Sequence, residues 1–395
     1  MSVLNFPTKK YTFQAPKRII AGPETSESIG LEAKQMHATL ALLVTDETVR
    51  TLGFADRVRG RLSEGDVEVD IYDEVEAEPS LESIERASEA GRTKKYDLIV
   101  GLGGGSSLDT AKVVAMMATN SGEARSYIGG VGKDLVKKPT LQKILMPTTA
   151  GTGAEVTSHS VLTVSGSKTS IGSSYMFADV VMVDPLLTMT MPPKITAGTG
   201  MDALSHAIES MMATESNPAT DSLALEAIRL VANNLPLAHA QGDNLEARCN
   251  MSWAALLAGL SLNAQGTYGH GMAHPVATRY HLHHGTACAL ALPYVMEFNL
   301  PACTLGLARV AEAMGKRLEG LTTKEKAMKA VMGVKELMVD LDMVSCLKDM
   351  QVPRSMLEEF ANEVIEKYQR PYNPRKLTKE YALRIYEKMW EGKSG

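Results

Sequence analysis

Two hydrophobic rhythms run along this chain. In the first half, short apolar runs are separated by stretches with helical spacing. Arg18–Ala21 reads as a short strand, and residues 39–45 (TLALLVT) form a continuous apolar run ending at Asp46, as a strand buried on both faces requires. A helical pattern follows from about residue 48 to 62, then an alternating strand at 67–72 (VEVDIY). Residues 80–93 read as a helix, with Ser80 as N-cap and Glu82 in the first turn, where the helix dipole favours an acid. Residues 97–100 (DLIV) are the next strand, and 144–146 begin another. Strand and helix in alternation predict a parallel sheet with helices on both faces.

Beyond Asp184-Pro185 the strand signals fade, and MPPK at 191–194 is a break. From Thr199 onward apolar residues recur at helical spacing: Ala203, Ala207 and Met211, then Leu223, Ala227 and Leu230, then Leu256, Leu257 and Leu260. Segments 305–318, 323–341, 354–369 and 378–391 continue the pattern. This predicts an α/β domain over 1–187 and an all-helical domain over 188–395. An active site is expected in the cleft between them.

Composition removes several function classes. A length of 395 residues favours two domains over one core. The net charge of −5 leaves no basic footprint for nucleic acid and no polybasic membrane patch. The four cysteines are widely spaced with no CxxC, which argues against a disulfide framework and fits a reducing compartment. The first thirteen residues hold no apolar run of signal-peptide length, and no 18 uninterrupted apolar residues occur anywhere. The expectation is a soluble cytoplasmic protein.

The chemistry concentrates at residues 269–285 (GHGMAHPVATRYHLHHG), which hold five of the nine histidines: His270, His274, His281, His283 and His284. Histidine is the commonest metal ligand and titrates nearest neutrality, so the cluster asks for a metal or a proton-transfer role. Asp202 and His206 are four apart and share one face of a helix, as do His270 and His274. Three imidazoles and one carboxylate suit Fe(II), Zn(II) or a similar ion, with a position left for substrate oxygen. Spacing leaves open which histidines ligate and which ion they hold.

The glycine loop at 101–107 follows a strand and opens a helix. Such a loop lets the backbone approach a phosphate at a helix N-terminus. Its glycines at 101, 103, 104 and 105 match neither GxGxxG nor the Walker pattern. Its place at the carboxyl end of a strand favours ligand binding. Asp109 and Lys112 lie on the first turns of that helix. Asp46, ending a strand, suits a ribose diol and would repel a 2′-phosphate, favouring NAD(H) over NADP(H). Residues 148–153 (TTAGTG) form a third small-residue loop able to line a cofactor.

Together these stretches resemble the iron-containing (group III) alcohol dehydrogenase family, over nearly the whole chain. The resemblance rests on GGGSSLDTAK at 103–112, PTTAGTGAEVT at 147–157, DxxxH at 202–206, HGMAHPxxxxxxxxHG at 270–285 and NPR at 373–375. It implies a dehydroquinate synthase-like fold: an α/β dinucleotide-binding domain with a parallel sheet, plus an all-α metal-binding domain. It implies Asp202, His206, His270 and His284 as ligands of Fe(2+) or Zn(2+), and His274 as a nearby proton-handling residue. For NAD(H) it implies Asp46 at the ribose, Gly104, Gly105 and Ser106 at the pyrophosphate, and Thr148, Thr149, Thr152 and Lys168 along the cofactor. Asp109 joins this cofactor set. His281 and His283 have no counterpart in the pattern.

The implied reaction is hydride transfer between a small primary alcohol or aldehyde and the nicotinamide, by a homodimer or larger homo-oligomer. Departures bear on substrate. Ser158-His159 follows EVT, Ser261 replaces a bulky apolar residue, Gln369-Arg370-Pro371-Tyr372 stands where a Cys is common, and Glu78 replaces an Asn-Pro element. His159 and Arg370 would suit an anionic aldehyde bearing a carboxylate, sulfonate or phosphonate. The rival readings are a hydroxyacid–oxoacid transhydrogenase and a noncatalytic metal- or nucleotide-binding protein.

Overall fold

A computed structural model describes residues 10–129 and 136–392. The first nine residues of the stretch read for a leader lie outside the described ones. The chain divides into two compact units, one of Gln14–Thr190 and one made chiefly of Met191–Gly395.

Among its described residues the first unit has eight strands: β1 (Arg18–Ala21), β2 (Leu40–Val44), β3 (Glu68–Tyr72), β4 (Leu98–Gly103), β5 (Gln142–Pro147), β6 (His159–Val164), β7 (Ser167–Gly172) and β8 (Val180–Val183). Six of them form a parallel sheet in the order β1-β8-β5-β4-β2-β3. Its helices are α1 (Ile29–Gln35), α2 (Glu47–Thr51), α3 (Phe54–Glu64), α4 (Leu81–Ala90) and α5 (Gly105–Met117). The central strand β4 is buried at every residue, which is why its sequence is a run rather than an alternation. Leu43, Val100, Ile144 and Met182 lie in one core with Ile29, Val58 and Leu62 from α1 and α3. Each such side chain contributes roughly 1.5–3 kcal/mol by leaving water.

The single helix expected over 48–62 is two helices. Gly53 takes φ 79°, a left-handed turn that ends one helix and starts the next. The strands β6, β7 and β8 were not foreseen. β6 and β7 form an antiparallel hairpin across Ser165-Gly166, both at positive φ (48° and 72°), as a tight two-residue turn requires.

The second unit is helical: α6 (Pro193–Met212), α7 (Pro218–Ala240), α8 (Leu245–Ser261), α9 (Tyr268–Tyr280), α10 (His284–Ala313), α11 (Thr323–Asp340), α12 (Met356–Lys367) and α13 (Lys379–Glu391). α10 is long and apolar enough to cross a membrane by length and composition, but 67% of its apolar window is buried within the protein. It is the core helix of this unit, packed against α6, α9 and α11.

Candidate metal centre and cofactor loop

The metal-site residues reach one place because three helices of the second unit converge. α6 carries Asp202 and His206 one turn apart, α9 carries His270, and α10 opens on His284. α6 and α10 approach closely through glycines: a Cβ on Gly285 would lie 2.0 Å from the Gly198 carbonyl oxygen. Bare backbones at this crossing bring His284 to Asp202.

The donor atoms are arranged as an ion would need them. Nε2 of His270 is 3.5 Å from Asp202 Oδ1, and Nε2 of His284 is 3.9 Å from the same oxygen. Metal–ligand bonds of about 2.0–2.1 Å place tetrahedral donors roughly 3.3–3.4 Å apart, so the cluster is slightly wider than a closed site. Asp202 Oδ1 and His270 Nε2 are buried and neither is satisfied by a hydrogen bond. An acceptor oxygen and an imidazole nitrogen facing each other in a buried site without a hydrogen bond are costly unless a cation, a proton or a metal ion, joins them. The residues therefore fit a divalent ion.

Two features differ from the expectation. The four donors within 4.8 Å of one another come from Asp202, His270, His284 and Cys288, one turn after His284. His206 is outside that set: its ring stacks on His270, with centroids 4.5 Å apart. His274 stacks on His284 at 5.5 Å and meets Tyr368 at 4.8 Å. Its Nε2 is 3.4 Å from Arg370 Nη2.

Burial opposes ionisation of Asp202, but His206, His270 and His284 outweigh it and hold the carboxyl well below its ordinary value. For His270 burial opposes the charged form, while Cys288, Glu209 and Asp202 raise it well above the ordinary histidine value. Burial pushes the Cys288 thiol up to about 11.

The sequence reading missed two members. Glu209 is fully buried on α6 and meets His270 Nδ1 at 2.5 Å. It stands seven residues after Asp202, the i+7 position of the same helix face, and that spacing was the available signal. Cys288, at i+4 from His284, was legible in the same way.

Ser261 is fully buried, and its hydroxyl donates to Ala258 O at 2.7 Å and meets Ser210 Oγ at 3.0 Å. It is committed to helix packing. His281 is the left-handed residue closing α9 (φ 49°), and His283 is the N-cap of α10.

In the first unit the expected cofactor residues gather at the carboxyl ends of β2, β4 and β5, which are neighbours in the sheet. Gly103 has φ 148°, and a Cβ there would lie 2.5 Å from Ser107 Oγ. A Cβ on Gly105 would lie 2.8 Å from Thr152 Cγ2, so both glycines are required by close packing. Gly104 is the N-cap of α5 and makes no side-chain cap bond, which leaves the N–H groups of the first turn for an anion. Asp46 caps α2 by accepting from Val49 N at 3.0 Å and accepts from Ser107 Oγ at 2.9 Å. Ser106 Oγ accepts from Glu78 N at 3.1 Å, and Lys168 pairs with Glu78 at 3.3 Å. Thr148 N donates to Gly103 O at 2.9 Å, joining the second loop to the first.

Asp109 is otherwise engaged. It is buried, pairs with Lys112 at 2.7 Å and accepts from Val161 N at 2.8 Å. Lys112, fully buried, also donates to Ala154 O at 2.9 Å and to the carbonyl of His159. The pair pins the β6 hairpin and the 148–157 loop to α5, so Asp109 supports the loop from behind. His159 opens β6 in this unit.

Glu155 in that loop is buried, and burial pushes its carboxyl up to about 7 from 4.5, with Lys112 opposing. A carboxyl raised in the fold stabilises while protonated. Its contribution is full below about pH 4.5 and is lost as pH rises through about 7. The loss is up to about 3 kcal/mol. Glu155→Gln is expected to match the parent in urea unfolding at pH 5 and to exceed it at pH 8; equal stability at pH 8 would contradict this.

Comparison with known proteins agrees with the geometry. Residues 16–185 match the model of the iron-containing alcohol dehydrogenases, and residues 196–390 match that of the Fe-containing alcohol dehydrogenase family, C-terminal. The chain is 37% identical over 336 residues to long-chain-alcohol dehydrogenase 1 of Geobacillus thermodenitrificans, covering 85% of each chain. The crystal structure of a 1,3-propanediol oxidoreductase superposes with a TM-score of 0.93 at 35% identity, covering 97% of this chain and 100% of that one. Sulfoacetaldehyde reductase from Bifidobacterium kashiwanohense, in complex with NAD+, superposes with a TM-score of 0.85 at 29% identity, covering 96% and 99%. Fold and site thus define an oxidoreductase acting on CH–OH groups. The chain belongs to the iron-containing alcohol dehydrogenase family. These relatives are dehydrogenases and reductases, which does not favour the transhydrogenase reading.

Proposed function

We propose that the chain is a metal-dependent, NAD(H)-linked alcohol dehydrogenase and aldehyde reductase. The observation that carries this is the convergence of buried, unsatisfied Asp202 Oδ1 and His270 Nε2 with His284 Nε2. Asp202, His270 and His284 would hold the ion, with His206, stacked on His270, as the further ligand that the family resemblance implies. Fe(2+) is the ion favoured by family, with Zn(2+) the alternative for the same donors. When bound, the ion supplies Lewis acidity toward the substrate oxygen. NAD(H) supplies the hydride acceptor or donor. Gly104, Gly105 and Ser106 would receive its pyrophosphate, Asp46 its ribose, and Thr148, Thr149, Thr152 and Lys168 would line it.

His274 has a different task. Its ring is buried between His284 and Tyr368, and Arg370 adjoins its Nε2. We assign it to proton movement between the substrate hydroxyl and solvent. Arg370 beside it supports a substrate bearing an anionic group, in keeping with the sulfoacetaldehyde reductase relative. Ser261, its hydroxyl already spent, has no part in this, and His159 gains no specific support. The test is a panel of butanol, 4-hydroxybutyrate and isethionate with NAD+. Arg370→Ala is expected to raise KM for the two anions at least tenfold and leave butanol within about twofold. Parent enzyme that prefers butanol, or a variant that loses all three equally, would remove the anionic reading.

A further inference from the structure

Glu209 is bonded through both carboxylate oxygens beside the metal centre, and the reaction outlined above gives it no role. Its Oε2 accepts from Thr267 N at 2.8 Å, Thr267 Oγ1 at 2.9 Å and Gly269 N at 3.2 Å. Its Oε1 accepts from His270 N at 3.1 Å and contacts His270 Nδ1 at 2.5 Å. The N-cap of α9, Thr267, makes no side-chain cap bond of its own. A carboxylate from α6 thus takes over the N-terminal turn of α9 and also grips its first histidine.

We propose that Glu209 is a positioning residue for the metal centre: its buried carboxylate fixes the tautomer and orientation of His270 that present Nε2 to the ion. This rests on the metal-site reading above. An ionised carboxylate only accepts, so the hydrogen must sit on His270 Nδ1. Nε2 is then left with its lone pair, and that atom is the one facing Asp202 Oδ1 and lacking a hydrogen bond. The same oxygens fix where α9 begins, and hence where the His270 backbone stands. Gly269 makes room for this: a Cβ there would lie 2.4 Å from Glu209 Oε1. A carboxylate behind a ligating imidazole orients the ring and raises its basicity.

An amide cannot substitute. Whichever way the side chain turned in Glu209→Gln, its NH2 would face groups that donate. With the NH2 toward Nδ1, the imidazole is driven to carry its hydrogen on Nε2, where it blocks the ion.

The test is Co(II) titration of the full chain, followed by d–d absorption, for the parent, Glu209→Gln and His270→Ala. The expected result is that a folded Glu209→Gln, with parent-like near-UV circular dichroism, binds Co(II) about 10- to 100-fold more weakly. Parent-like affinity in that variant, alongside weakened binding in His270→Ala, overturns the role of Glu209 and leaves the metal site standing. Parent-like affinity in His270→Ala overturns the metal site itself and the proposal with it. Should Glu209→Gln not fold, histidine-selective 15N NMR of the Zn(II)-loaded parent decides the matter. His270 is expected with its hydrogen on Nδ1 and the ion on Nε2, and the reverse arrangement would overturn the proposal.

Discussion

Replacing His270 by alanine is expected to remove bound metal and to lower turnover with NAD+ by at least about a thousandfold. The Lewis acidity of an ion is worth several kcal/mol, and each 1.4 kcal/mol or so is a factor of ten in rate. His270 occupies the centre of the cluster: it faces Asp202 at 3.5 Å, stacks on His206 at 4.5 Å and tilts against His284 at 5.4 Å. Its loss also strips one partner from the buried Glu209 carboxylate. Four other bonds to Glu209 survive, so the stability cost is put at about 1–3 kcal/mol, well short of unfolding. His274→Ala should behave differently, keeping its metal while losing rate, because the His274 Nε2 adjoins Arg370. Metal analysis and initial rates on the same preparations separate the two. Equal metal content in the parent and His270→Ala would contradict the assignment.

Gly285→Ala is expected to destabilise the second unit by about 3 kcal/mol or more, the upper end of overpacking costs. The added Cβ would stand 2.0 Å from the Gly198 carbonyl oxygen, 2.8 Å from its carbon and 2.9 Å from Asp202 Cβ. None of these is the flexible end of a side chain. α6 and α10 would have to part, carrying His284 away from Asp202, so metal affinity should fall with stability. Gly60→Ala is the matched control. Gly60 is exposed within α3 with nothing within 4 Å of a Cβ, and alanine there should be neutral or stabilising by up to about 1 kcal/mol. Urea unfolding of both variants checks the contrast; similar stabilities would mean that the glycine crossing is not tight.

The parallel sheet was legible because β2 and β4 are buried on both faces and read as unbroken apolar runs. The hairpin β6–β7 was passed over: its second strand, Ser167–Gly172, is rich in polar residues and carries no apolar run. The turn signal lies in Ser165-Gly166, and its meaning depended on strands that pack on α4 and α5 far away in sequence. In the metal centre, i,i+4 spacing placed Asp202 with His206 and His270 with His274, and only the family resemblance singled out His270 and His284. It did not show that the His206 ring would stack on His270, because spacing fixes a face of a helix and leaves ring rotation open. Glu209 was overlooked for a related reason. On a helix an acid reads as a surface residue, and only the arrival of the α9 N-terminus, with its donors, makes this one a buried acceptor. Asp109 was the reverse case: an acid beside a phosphate loop whose partners, Lys112 and Val161 N, are distant in sequence or hidden in a helix.

The central claim is that the side chains around Asp202 hold a divalent ion on which hydride transfer depends. The most direct measurement strips the purified protein with a chelator, titrates Fe(II) back anaerobically, and follows NADH formation from a primary alcohol against metal bound per chain. Activity is predicted to vanish on stripping and to return in proportion to occupancy, saturating at about one ion per chain. Full activity in the stripped protein, or recovery unrelated to occupancy, would contradict it.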